Sequence, residues 1–292
     1  PEMFITGYQT QDLIRRRQFI ADAVAAVEGL AVDCADGPML GIGAPFLNGE
    51  RLHNAYFILK GGVIHARMDK HFLPNFTVFD EVRLFNRGEI AGPFVTDGPR
   101  IGSPICEDAW YPDVCETMVE SGAEVLLVPN GSPYFRDKFP IRMNNMVARV
   151  VENDVPLVYL NMVGGQDDQM FDGGSFVLNR GGALAVQLPV FDEAVVHVDF
   201  EQGDDGWVAL DGQKTVMPDA LEQDYRAMVE SLRDYMGKTG FKKVLLGLSG
   251  GIDSAITAVM AVDALGSDNV HCVMMPSRYT SQESLDDAAE CA

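Results

Sequence analysis

Three short apolar runs, RIGSPIC (100–106), EVLLVPN (124–130) and PLVYLNM (156–162), are separated by two stretches of helical periodicity, Asp113 to Ser121 and Ile141 to Asn153. Apolar runs of this kind read as strands covered on both faces, and a helix between two of them carries the chain back to start a parallel neighbour. Upstream lie MLGIGAP, NAYFILK and VIHARM, the last two joined at Lys60-Gly61-Gly62 as a hairpin turn requires. Before them, Leu13, Ile20, Val24 and Val27 share one helical face, with Gly29 as the expected stop. Downstream, GSFVLN, ALAVQL and AVVHVDF read as a closing group of strands. Strands outnumber helices and come both as hairpins and as strand-helix-strand units. The expected fold class is therefore α/β, an α-β-β-α sandwich with outer helices rather than a barrel.

The segment EQGDDGWVALDGQKTVMPD (201–219) is polar and punctuated by Gly and Pro, and it reads as a linker. The expected division is a first domain over 1–202, a linker over 203–219 and a second domain over 220–292. The second begins with a helix (Ala220 to Met236), the strand VLLGLS, a helix from about Asp253 to Leu265 and the strand VHCVMMP, with Met274 and Met275 expected in the core. The chain opens without an initiator Met and stops inside an amphipathic stretch. Both ends are thus expected to be truncations, with a strand and helix lacking before Glu2 and most of the second domain lacking after Ala292.

Lys and Arg number 22 against 43 Asp and Glu, a net charge of −21, which argues against nucleic acid and against anionic lipid as partners. No apolar run is long enough to span a bilayer. The five cysteines, Cys34, Cys106, Cys115, Cys272 and Cys291, are too scattered for a disulfide framework, and a reducing cytoplasm is the expected compartment. His53, His65, His71, His197 and His271 show no ligand spacing, so a histidine-built metal site is not expected.

The sharpest motif is LLGLSGGIDSA (245–255). Its glycines stand where a strand turns into a helix, where backbone N–H groups and the positive end of the helix dipole favour a phosphate. Asp253, one turn in, is placed to hold Mg²⁺, and Ser254 offers a hydroxyl. The bland reading is a glycine-rich helix cap. SGGxDS after an apolar strand resembles the pyrophosphate-binding loop of N-type ATP pyrophosphatases, which implies ATP as the ligand.

A second constellation centres on Cys106 in SPICEDAWYP, a thiol at a strand-to-turn elbow. Alone it reads as a small buried hydrophobe. Glu2 in PEMFITGY and Lys70 in MDKHFLPNFTVFDE also stand at the ends of strand-like runs, and Glu, Lys and Cys in that order resemble the triad of nitrilase-like carbon-nitrogen hydrolases. The chemistry suits these types: a thiolate attacks the amide, Glu2 takes and returns the proton, and Lys70 compensates the tetrahedral oxyanion. Beside a cation, Cys106 is expected to have a lowered pKa. Cys115 and His71 are expected to be structural, and Arg15-Arg16-Arg17 a solvated helix face.

A thiol amidase followed by an ATP-cleaving loop is the logic of a glutamine amidotransferase. NMVGGQDDQMFDGGS (161–175), VMMPSRYTSQES (273–284), LPNFTVFDE, CEDAW and GSPYF are similar to segments of bacterial glutamine-dependent NAD⁺ synthetases. That resemblance spans nearly the whole chain. It implies Glu2, Lys70 and Cys106 as catalytic residues, and Tyr8, Glu81 and Ser132 as substrate-binding residues around glutamine. It also implies Gly247, Ser249, Gly250, Gly251, Asp253 and Ser254 around the nucleotide, with Asp253 the metal ligand. The implied cofactors are ATP and Mg²⁺, the substrates glutamine and nicotinic acid adenine dinucleotide, and the assembly a homo-oligomer. Phe76 and Thr77 stand where the family often has Tyr and Gly. An amidase carrying a nucleotide-sensing module and a non-catalytic scaffold piece remain as alternative readings.

Overall fold

A computed structural model of the chain describes residues 1–292. Two compact units are present, Pro1–Val163 with Phe171–Met217, and Gly164–Met170 with Pro218–Ala292.

The first unit opens with a turn and a short 3-10 helix, Gln11–Arg15, followed by α1 (Arg17–Asp33). Ile20, Ala23, Val27 and Ala31 of α1 form its buried stripe. Gly29 does not end the helix, contrary to expectation. It lies off that stripe, and its helix-interior penalty of about 1 kcal/mol is outweighed by burying the next apolar turn. The strands β1 (Leu40–Asn48), β2 (Arg51–Lys60) and β3 (Val63–Asp69) form an antiparallel sheet, with the hairpin turn at Gly61-Gly62 as read from the sequence. After α2 (Glu81–Leu84) come β4 (Ile101–Gly102), α3 (Pro112–Glu120), β5 (Val125–Asn130), α4 (Lys138–Asn153) and β6 (Leu157–Asn161). The three strands are parallel, as the intervening helices require. A hairpin, β7 (Val163–Gln166) and β8 (Gln169–Asp172), precedes β9 (Phe176–Asn179) and β10 (Ala183–Gln187), which complete a sheet of order β10-β9-β6-β5-β4.

Three apolar layers hold these elements together. Val27 and Ala31 of α1 pack on Ala44, Ala55, Phe57 and Leu59 of the first sheet. Tyr56, Ile58 and Met68 meet Ile105, Cys106 and Leu127 between the two sheets. Val114, Cys115 and Met118 of α3 and Met146 and Val150 of α4 cover Leu126, Val128, Leu157 and Phe176. That order is the α-β-β-α sandwich expected. Cys115 has the packing role expected of it.

Two readings are corrected. AVVHVDF (194–200) is not a strand except at Phe200: Val198 packs beside Val177 and Val186 while Val195 is 95% exposed, so the segment lies across the sheet instead of pairing with it. The stretch read as a linker is largely part of the first unit. The strands β11 (Phe200–Gly203) and β12 (Gly206–Ala209) form a hairpin, and beyond it Gly212 N donates to Ala185 O, and Thr215 N to Gln187 O, at the edge of β10. Its polar residues are the solvent side of an edge hairpin, a common way of closing a sheet.

In the second unit α5 (Ala220–Thr239) is capped by the Asp219 carboxylate, which accepts from Glu222 N. It is followed by β13 (Val244–Gly247), α6 (Ile252–Leu265), β14 (Val270–Val273) and α7 (Gln282–Cys291). β13 and β14 pair in parallel, Val244 opposite Val270, as the strand-helix-strand reading requires. Met274 and Met275 are not core. The strand ends at Val273, and Met275 is 77% exposed.

Candidate active site

Glu2 sits in a turn beside the first sheet rather than at a strand end, tied to it by Gly43 N donating to Pro1 O and Ile5 N donating to Gly43 O. Position 43 requires glycine: a Cβ there would stand 2.3 Å from Met3 N. Lys70 follows β3, and its N–H donates to Asn54 O on β2 at 2.8 Å. Cys106 begins a 3-10 turn after β4 with φ of 49°, the sharp elbow foreseen from its place at a strand end.

Glu2 and Lys70, 68 positions apart in sequence, meet directly, and Cys106 lies near enough to feel the charge of both. Lys70 Nζ donates to Glu2 Oε1 at 2.7 Å and to Glu81 Oε1 at 3.0 Å. Tyr8 OH donates to Glu81 Oε1 at 2.7 Å, and Gly131 N, at the end of β5, donates to Glu2 Oε2 at 2.8 Å. All of these side chains are buried. Glu81, expected to line the substrate pocket, therefore shares Lys70 with Glu2. Ser132, the next residue after Gly131, accepts at Oγ from Arg142 Nε at 3.1 Å, and Arg142 also donates to Ser132 O and to Asp172.

Cys106 departs from the expected thiolate. Burial pushes its thiol well above the ordinary range, Glu2 pushes in the same direction, and Lys70 only partly opposes them. At rest Cys106 is therefore a thiol, and any attack by its sulfur must release that proton. Burial likewise pushes Glu81 up to about 7, against the lysine beside it.

Five residues near the site escape the motif reading. Asn54 bridges Glu2 and Glu81 with its amide. Asp108 accepts at Oδ1 from His71 N and Phe72 N and at Oδ2 from Ile105 N, joining the backbone after Lys70 to the backbone before Cys106. Lys138, 6% exposed, lies 4.3 Å from the Trp110 ring and 4.6 Å from the Phe135 ring, and burial lowers its pKa to about 8. Arg142 and Asp172 form a buried ion pair. The available signal was a polar residue inside an otherwise apolar strand or turn, as at Asn54 and Asp108. A cavity of about 500 Å³ is lined by Phe72, Asn75, Phe76, Glu107 and Tyr111, with Glu107 adjoining Cys106 in sequence. His71 Nδ1 lies 2.8 Å from Gly88 O, in the structural role expected.

In the second unit the residues of the glycine-rich motif are brought together as a loop. Gly250 has φ of 81°, Ser249 N donates to Ser254 Oγ at 3.2 Å, and Ser254 Oγ donates to Gly251 O at 2.9 Å. Asp253 stands in the first turn of α6. Gly247 and Ser249, with Met275, Tyr279 and Ser284, line a cavity of about 450 Å³. The exposed methionines thus have a place as cavity wall.

A thiol, a carboxylate and a lysine near a strand-end elbow of an α-β-β-α sandwich are the groups that cleavage of an amide by a cysteine nucleophile needs. The chain belongs to the carbon-nitrogen hydrolase family, whose sequence pattern matches residues 1–204. Residues 224–292 match the NAD synthase pattern. The chain is 58% identical over its whole length to the glutamine-dependent NAD(+) synthetase of Rhodobacter capsulatus, of which it covers 53%. It superposes with a TM-score of 0.92 and 35% identity on the glutamine-dependent NAD+ synthetase of Acinetobacter baumannii in complex with adenosine diphosphate, covering 99% of this chain and 55% of that one. A mutant amidase from Nesterenkonia sp. AN1, whose active-site cysteine carries the acetamide moiety of fluoroacetamide, matches 65% of this chain and 72% of its own with a TM-score of 0.57 and 26% identity. The chain spans about half the length of the curated relatives it matches. No helix is long and apolar enough to cross a membrane.

Proposed function

We propose that the first unit hydrolyses the side-chain amide of glutamine and that the chain is the amidase part, with the opening of the ATP-binding part, of a glutamine-dependent NAD⁺ synthetase. The observation that carries this reading is the convergence of buried Glu2 and Lys70 on the Cys106 elbow. In the reaction, Cys106 Sγ bonds to the amide carbon while Glu2 takes the thiol proton. The carbonyl oxygen becomes the oxyanion, which the Lys70 ammonium stabilises. Collapse breaks the C–N bond, Glu2 returns the proton to the departing nitrogen, and ammonia leaves a thioester on Cys106. Water activated by Glu2 then releases glutamate and restores the thiol.

Lys138 would hold the α-carboxylate of glutamine: it is a buried cation flanked by the Trp110 and Phe135 rings and close to Cys106 and Glu107. Ser132 and Tyr8, the latter hydrogen-bonded to Glu81, would bound the same glutamine site. The loop Gly247 to Ser254 is proposed to take the ATP phosphates. A single carboxylate, Asp253, suits Mg²⁺, which keeps most of its waters and takes one or two protein carboxylates beside phosphate oxygens. When bound, that ion would offset phosphate charge. ATP and ammonia would serve to amidate nicotinic acid adenine dinucleotide. Five unpaired cysteines support a cytoplasmic location.

The test is labelling with a glutamine-mimicking electrophile followed by peptide mass spectrometry. The adduct is expected on Cys106 alone. An adduct on Cys34 or Cys115 with Cys106 unmodified in folded protein overturns the assignment.

A further inference from the structure

Asn54 stands on β2 with 1% of its surface exposed, in a run that is otherwise apolar from Ala55 to Leu59. Its Nδ2 donates to Glu2 Oε1 at 2.7 Å and to Glu81 Oε1 at 3.3 Å, the same two oxygens that take Lys70 Nζ. Its backbone carbonyl accepts from Lys70 N at 2.8 Å. The orientation of the amide follows from chemistry: both neighbours are carboxylate oxygens, which only accept, so Nδ2 must face them. Asn54 Oδ1 is left buried without a donor, a cost that the opposite orientation would exceed by setting oxygen against two carboxylates.

We propose that Asn54 is a positioning residue for amide cleavage, holding Glu2 and Glu81 on the single Lys70 so that Glu2 remains free to accept the Cys106 proton. The inference rests on the reading of Cys106 as nucleophile and Glu2 as its base. With one cation for two carboxylates, Asn54 gives each of these oxygens a further donor beside Lys70, and Tyr8 OH gives Glu81 Oε1 another. Glu2 is then fixed at both ends, by Lys70 and Asn54 at Oε1 and by Gly131 N at Oε2. Without the amide, Glu2 Oε1 keeps Lys70 as its one donor while the neighbouring carboxylate stays in place, and the pair gains affinity for a proton. Protonated Glu2 cannot act as base. The ionisable groups facing Glu2 are Lys70, Glu81, Tyr8, Cys106 and Glu107. They are common to native protein and variants, so a difference between two pH profiles isolates Asn54.

The experiment measures the rate of Cys106 alkylation by a glutamine-mimicking electrophile from pH 5 to pH 9, for native chain, Asn54→Leu and Asn54→Asp, with circular dichroism to confirm folding. The Leu variant is expected to react about 10- to 100-fold more slowly at saturation, the scale of one charge-assisted hydrogen bond. Its acid limb should move up by about one pH unit, with little change in the half-saturating concentration. The Asp variant, of the same shape but carrying a third carboxylate, should move further in the same direction. It decides the matter if the Leu variant does not fold. A folded variant with lowered thermal stability and an unmoved acid limb overturns the proposal, because Asn54 would then serve the fold only. Native protein that is not labelled at Cys106 overturns the reading of the site, and this inference with it.

Discussion

Lys70 Nζ lies 2.7 Å from Glu2 Oε1 with both side chains fully sealed from solvent. Glu81 joins them at 3.0 Å, so one buried cation serves two buried carboxylates. Such an arrangement is poor for stability, because desolvation of each ion opposes the attraction between them. It suits catalysis, because an ammonium already desolvated meets a developing oxyanion with little further rearrangement.

Replacing Lys70 by Met leaves Glu2 and Glu81 buried without their cation. The expected loss of stability is about 3–5 kcal/mol at neutral pH, read from urea unfolding. In whatever fraction remains folded, amide cleavage should fall by about 2.7–4 kcal/mol of barrier. A variant as stable and active as native protein would place the charge compensation elsewhere.

Glu81 gives a pH signature. Its carboxyl is pushed up to about 7 by burial, above its ordinary value of 4.5, so the folded state holds a proton that the unfolded chain has released. A raised carboxyl contributes stability at low pH that is lost as pH rises from about 4.5 through 7. Glu81→Gln removes that titration. The midpoint of thermal unfolding should therefore fall less between pH 5 and pH 8 in the Gln variant than in native protein. Parallel curves for the two would show that Glu81 is ionised throughout.

The sandwich is legible in the sequence because local periodicity reports it: the apolar runs at 124–130 and 156–162 and the helices between them are where the pattern puts them. The Cys106 elbow and the Gly250 loop are legible for the same reason, since each follows a strand. What stays hidden depends on contacts between distant segments. Gly131 N reaches Glu2 across 129 positions, and no spacing rule announces it. Asn54 and Asp108 show only as polar residues in apolar surroundings, and Lys138 shows nothing until its aromatic neighbours are known. The direction of the Cys106 shift escapes the sequence because a motif names the cation beside a thiol and not the depth at which both lie. Hairpin β11–β12 reads as a linker because an edge strand exposes the same polar residues as a linker does.

Thr77 is exposed and has φ of 52°, a conformation that a β-branched residue disfavours by about 1–2 kcal/mol. Glycine adopts it without strain but loses about 0.4–1 kcal/mol through the added freedom of the unfolded chain. Thr77→Gly should thus stabilise the folded chain by up to about 1 kcal/mol, and Thr77→Ala by less. Equilibrium unfolding in urea measures both. A destabilised Gly variant would mean that the side chain makes a contact that outweighs its backbone strain.

Gly250 and Gly29 make opposite predictions for the same substitution. A Cβ at Gly250 would lie 2.3 Å from Ser284 O in α7, and φ there is 81°, so Gly250→Ala meets both a backbone clash and left-handed strain. The loop and α7 must separate, and the Ser254 hydroxyl loses the geometry that ties it to Ser249. Amide exchange at the start of α7 should quicken. Gly29 lies inside α1, where an added Cβ would meet nothing within 4 Å, so Gly29→Ala should stabilise by about 0.5–1 kcal/mol through helix propensity alone. Equal effects of the two changes on exchange in α7 would show that the Gly250–Ser284 approach does not shape the loop.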